Sequence, residues 1–225
     1  MEAGLAAAAH VYEDAARDGL QGAASIVAAR RGRIVLARSF GSAEAAGPDA
    51  IFMMASITKP VTALAFMMLV EKGHVSLADA ACMYLPEFSE GERVHVTVGH
   101  LLSHTSGLPD MLPENTALRE ARAPLSAFVT KAFATPLLFS PGEDFIYSSM
   151  GILLASEILE RISGKAIRDF MREEIFQPLG MSRTELGLGP AVRAIAIVPW
   201  LAALDRADCT HHALWWLRGP SARVA

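Results

Sequence analysis

Cysteine and lysine are scarce in this chain of 225 residues, with 2 Cys and 4 Lys against 16 Arg. Cys82 and Cys209 cannot build a disulfide framework, so the fold must rest on an apolar core. The 52% of hydrophobic residues suffice for one in a chain of this length, as a single or two-lobed domain. Basic charge is short as well: the formal net charge is −4, and no lysine- and arginine-rich patch is present, which argues against nucleic-acid binding. Long hydrophobic runs are missing; the most apolar stretch, Val61 to Val70, is too short to span a bilayer. Residues Met1 to Leu20 carry no basic residue before Arg17 and no leader-like apolar run. A cytoplasmic location is therefore expected, or a periplasmic one if the true start lies upstream. No Gly-x-Ser-x-Gly or dinucleotide fingerprint occurs, and Ser163-Gly164-Lys165 lacks the upstream glycine of a phosphate loop.

What is present begins at Ser56-Ile57-Thr58-Lys59, a Ser-x-x-Lys at the start of an apolar-periodic segment. Residues three apart share a helix face, so the Lys59 amine can lie beside the Ser56 hydroxyl. Serine alone is a weak nucleophile, and a lysine shielded from water can take its proton at neutral pH. Unpaired backbone N–H groups at a helix start would favour the anion that then develops. Ile57, Val61, Leu64, Ala65, Met68 and Leu69 trace a helical stripe facing a core, with Gly73 at the C-terminal cap and Pro60 early enough to break no hydrogen bond. The competing reading of the same four residues makes Ser56 a helix cap and leaves Lys59 in solvent.

Further along, Ser140 to Ser149 (Ser-Pro-Gly-Glu-Asp-Phe-Ile-Tyr-Ser-Ser) leads into a second apolar helix, Met150 to Ile162, stopped by Gly164. Tyr147 at this loop-to-helix junction is placed to present a polar tip in a cleft. Ser56-x-x-Lys59, Leu101-Leu102-Ser103-His104-Thr105-Ser106-Gly107-Leu108, the Tyr147 segment and Gln177-Pro178-Leu179-Gly180-Met181 occur in that order. With these four motifs, residues 20 to 190 resemble the serine β-lactamase-like family, which includes class C β-lactamases, D-alanyl-D-alanine carboxypeptidases and related esterases.

The resemblance implies an α+β fold of the β-lactamase and penicillin-binding-protein type, with a helical lobe and an antiparallel sheet. It implies that Ser56 is the acylated nucleophile, that Lys59 and Tyr147 jointly carry its proton, and that the substrate is a small ester or amide. No cofactor or metal is implied. Ser149 stands where the family usually has Asn, as the last residue of Tyr-x-Asn, and is expected to contact substrate; its shorter reach favours ester over β-lactam hydrolysis. The family's third motif, a Lys-Thr-Gly or His-x-Gly triplet on a strand beside the site, does not occur after Tyr147. Losing one oxyanion donor costs about 10² to 10³ in rate, so a catalytically inactive homologue or ligand-binding pseudoenzyme is the alternative expectation.

Residues 24 to 30 and 33 to 39, joined through Arg31-Gly32, read as a β-hairpin. A two-stranded sheet leaves unpaired edges, which invites self-association. The expected organisation is a domain over 1–190, comprising an N-terminal helix and hairpin over 1–48 and a helical lobe over 49–190, followed by an atypical tail over 191–225. That tail holds all 3 Trp (Trp200, Trp215, Trp216) and no trace of the family. Two expectations stand for it: a shifted reading frame or truncated gene, since out-of-frame GC-rich codons yield such a composition, or an amphipathic segment packing through Leu201, Leu204 and Trp215. Ala43 to Asp49 reads as a loop. His95, His100 and His104 include an i, i+4 pair with zinc-like spacing, but no Glu neighbours it, and local hydrogen bonding is the expected role.

Overall fold

The computed structural model describes residues 2–19, 23–41, 51–52 and 54–187; the expected loop at 43–49 and the 191–225 tail lie outside them. The fold is α+β. The described residues form two compact units, one up to residue 52 and one from residue 54 onward.

In the first unit, helix α1 (Glu2–Arg17) is followed by strands β1 (Ala23–Arg30) and β2 (Arg33–Gly41), paired antiparallel with Arg30 opposite Arg33. Arg31 and Gly32 both take positive φ, 51° and 75°, the backbone twist that a two-residue hairpin turn needs. Val35 is the extra residue between the Ala28–Leu36 and Ala29–Ile34 pairs, a bulge that bends β2. Tyr12 of α1 stacks on Phe40 of β2, ring centroids 6.4 Å apart. Among the described residues the sheet has these two strands alone, so each keeps one unpaired edge.

The second unit is helical. A 3₁₀ turn, Ala55–Ile57, leads into α2 (Thr58–Glu71), and α3 (Val98–Leu102), α4 (Asn115–Glu120) and α5 (Leu125–Ala134) follow. Then come α6 (Ser149–Ser163) and α7 (Ile167–Met171), the last continued by a π turn over Arg172–Phe176. Helix α6 is the hub: it packs against α2, α3, α5 and α7, and Leu154, Ile158 and Leu159 along it are fully buried. Gly151 makes the α3 contact possible, because a Cβ there would lie 2.8 Å from the Leu101 carbonyl oxygen. The core joins these residues to Phe66, Leu101 and Phe128. Among the described residues no helix is long and apolar enough to cross a membrane.

Helix α2 corrects one expectation. Its buried face is Thr62, Ala65, Phe66 and Leu69, whereas Ile57 and Leu64, expected to face the core, are 60% and 50% exposed. The helix is apolar on nearly every side, so periodicity alone does not select the face that α6 covers. Its end is as expected. Gly73 takes φ 72°, its N–H donates to the Val70 carbonyl, and the His74 N–H donates to Leu69, the paired bonds of a glycine-terminated helix.

Candidate active site

Ser56 sits on the 3₁₀ turn, one residue after Ala55, whose φ of 47° is unusual for a residue with a side chain. Such conformations cost of order 1–3 kcal/mol and persist where the surroundings hold them. The turn leaves Ser56 exposed and aims its hydroxyl along the first turn of α2. Lys59, half-buried, donates from Nζ to Ser56 Oγ at 3.2 Å. The same Nζ lies 4.7 Å above the centre of the Tyr147 ring, a cation–π distance. Residues 56, 59 and 147 are thus brought together although 88 residues separate the lysine from the tyrosine. Tyr147 is 42% exposed, and with Ser56 forms an open face rather than a buried one.

The segment carrying Tyr147 is held by the loop 104–110. The Gly142 N–H donates to the Thr105 carbonyl at 2.8 Å, and the Leu138 N–H to the Gly107 carbonyl at 2.8 Å. Ser148 Oγ donates to the Pro109 carbonyl at 3.0 Å and accepts from the Gly151 N–H at 3.0 Å, so one buried hydroxyl both caps α6 and ties it to the loop. Gly107 is required where it stands. Its φ is 81°, and a Cβ would fall 2.3 Å from the Phe139 carbonyl oxygen.

Ser149 lies beside this cluster, but its hydroxyl is committed. Both its backbone N–H and its Oγ donate to Asp110 Oδ1, at 2.8 and 2.7 Å. With its proton engaged, the Ser149 oxygen has only lone pairs to offer. Asp110 is a residue that sequence reasoning missed, although it stands at the end of the Gly107-Leu108-Pro109-Asp110 run.

The histidines divide. His100 Nδ1 accepts from the Thr97 N–H at 3.2 Å while the His100 N–H donates to Thr97 Oγ1 at 3.1 Å, a reciprocal cap at the start of α3. His104 belongs to the site. Its Nδ1 accepts the Ser148 N–H at 3.1 Å, and its ring lies 4.8 Å from that of Tyr147. Burial first, and then the positive charge of Lys59, hold its imidazole below the usual histidine range, against the upward pull of the Ser148 backbone and then of Asp110.

A family model described as Beta-lactamase matches residues 7–210. The chain belongs to the β-lactamase family. Among its curated relatives, esterase EstB of Burkholderia gladioli is 35% identical over 192 residues, covering 76% of this chain and 48% of the esterase. Penicillin-binding protein 4* of Bacillus subtilis (strain 168) is 34% identical over 175 residues, covering 72% of this chain and 37% of that protein. The chain therefore spans less than half the length of these relatives. A solved structure of a penicillin-binding protein homologue from Caulobacter crescentus superposes with a TM-score of 0.72 at 29% identity, over 85% of this chain and 52% of that one. The family match takes in the hairpin as well as the helical unit, and it reaches residue 210, beyond the 190 at which the resemblance was expected to end.

Proposed function

We propose that this chain is a serine hydrolase that forms an acyl intermediate on Ser56 from a small ester or amide. The observation that carries the reading is the 3.2 Å contact between Lys59 Nζ and Ser56 Oγ, with Tyr147 stacked beneath the same ammonium. Ser56 Oγ attacks the carbonyl carbon while its proton passes to the Lys59 and Tyr147 pair, which acts as one proton carrier and takes the proton in the state that is one proton short of ammonium plus phenol. The carbonyl oxygen becomes an oxyanion at the start of α2, where the Ser56 N–H and the helix dipole favour negative charge. Collapse of the tetrahedral species breaks the bond to the leaving group, which takes the proton back from the pair. Water then attacks the acyl-serine by the same route in reverse.

Esters are favoured over β-lactams. Ser149, with its proton donated to Asp110, can accept from a substrate but cannot donate to a carbonyl, as the amide of an asparagine would. The relative named an esterase supports the same preference. Intact-protein mass spectrometry after incubation with a fluorophosphonate and, separately, a penicillin tests the reading. A mass increment that disappears in Ser56→Ala is expected, more rapidly formed with the fluorophosphonate. Labelling that survives Ser56→Ala, or a folded protein that takes no label, overturns it and leaves a non-catalytic member of the family.

A further inference from the structure

The grip on Tyr147 from both sides of the chain is made by one residue. The His104 carbonyl accepts the Ile146 N–H at 3.0 Å, and His104 Nδ1 accepts the Ser148 N–H at 3.1 Å. The residues immediately before and after Tyr147 are therefore fixed by the backbone and the side chain of the same histidine. Its ring lies against the phenol, centroids 4.8 Å apart at 37°, and the Phe145 ring meets it edge-on at 5.9 Å. To do this His104 adopts φ 63°, the left-handed conformation uncommon for residues other than glycine and asparagine. Strain at a residue that touches a proposed proton carrier is the kind that surrounding contacts hold in place for a purpose.

Building on the assignment of Ser56 and Tyr147 above, we propose that His104 is a positioning residue whose neutral imidazole clamps Tyr147 against Lys59, and whose protonation opens the clamp. The chemistry requires the neutral form. Nδ1 can accept the Ser148 N–H only through its lone pair, and a proton there would set two donors against each other. Among the described residues, Lys59 from α2, Asp110 from its own loop and Tyr147 from the segment before α6 are the titratable groups facing it. Burial and Lys59 oppose the imidazolium more than the Ser148 backbone and Asp110 favour it, so the clamp stays closed at neutral pH and opens below the ordinary histidine value of 6.5. No other side chain type combines these features. Asparagine tolerates the backbone and offers an acceptor without the ring; phenylalanine keeps the ring and offers no acceptor.

The experiment is a pH titration of the full chain from about 8 to 5, followed by NMR of the His104 imidazole, the Ser148 amide and the Tyr147 ring. All three are expected to move together with one midpoint below 6.5. In His104→Asn, confirmed as folded by its melting curve, the Tyr147 transition should vanish. Fluorophosphonate labelling of Ser56 should then be about tenfold or more slower at neutral pH, with the acid limb of its pH profile lost. Ser148 and Tyr147 signals that stay still while His104 titrates overturn the proposal whatever the labelling shows. If the wild-type chain takes no label, the nucleophile assignment falls by itself, and the three NMR signals still decide whether His104 clamps Tyr147.

Discussion

The hairpin and the helical unit are both drawn from apolar, well-patterned sequence, yet they end in opposite states of burial. In the hairpin, Val27 and Ile34 are 64% and 68% exposed, and among the large apolar residues of β1 and β2 none is fully buried. In the helical unit, α6 buries nine of its fifteen residues. The difference is one of closure. A helix satisfies its own backbone and needs only a neighbour along one stripe, so five helices can enclose a core between them. A strand satisfies half its backbone through one partner and needs a further layer to cover each face.

The comparison breaks if lesions in the two units cost the same. Gly107→Ala in the helical unit forces a Cβ onto the Phe139 carbonyl at positive φ and is expected to cost about 3 kcal/mol or more. Ile34→Thr on the hairpin should cost less than about 0.5 kcal/mol, because the side chain already faces water. Urea unfolding of both variants gives the two numbers, and near-equal values would mean that the hairpin is covered in solution.

A smaller effect sharpens the picture inside the helical unit. Ser148→Ala removes the cap of α6 and the bond to Pro109 at once, for an expected loss of about 1–2 kcal/mol. Because the residue adjoins Tyr147, Ser56 labelling in this variant should slow as well. A variant that loses stability but labels at the wild-type rate would separate the anchoring of α6 from the placing of Tyr147.

The smallest effect is a pH dependence at a pair outside the site. The Tyr84 hydroxyl donates to Asp79 Oδ2 at 2.6 Å; burial and this bond push the phenol from 10.0 up to about 12, while the same bond lowers the carboxyl of Asp79. The folded phenol is harder to ionise than the unfolded one, so its stabilising contribution is complete below 10.0 and is lost as pH rises through about 12. Tyr84→Phe should therefore flatten that alkaline decline in urea midpoints, and an unchanged slope would show that the bond does not persist in solution.

Much of this was legible before any coordinates. The Ser56 to Lys59 spacing needed only helical geometry to bring amine and hydroxyl together, and the ends of α2 and α6 were marked by Gly73 and Gly164 because a left-handed residue is cheapest as glycine. The Arg31-Gly32 turn was readable for a related reason, its length selecting the hairpin. The exposed side of α2 was not readable: a helix with Ile57 and Leu64 on one side and Phe66 and Leu69 on the other carries no label for which side meets α6. Nor was the commitment of Ser149 to Asp110, which depends on two residues 39 positions apart meeting in space.

What the sequence by itself determined, then, was local: turn conformations, helix ends, the Ser56–Lys59 contact at the start of α2, and a family-wide order of motifs. Tertiary structure alone decided the relations between segments distant in the chain. It laid Tyr147 under the Lys59 ammonium, turned the Ser149 hydroxyl toward Asp110 and set His104 astride the tyrosine. The physical reason is that i, i+3 and i, i+4 contacts follow from backbone geometry, whereas contacts across dozens of residues follow from how α2, α3 and α6 pack, which no local pattern encodes.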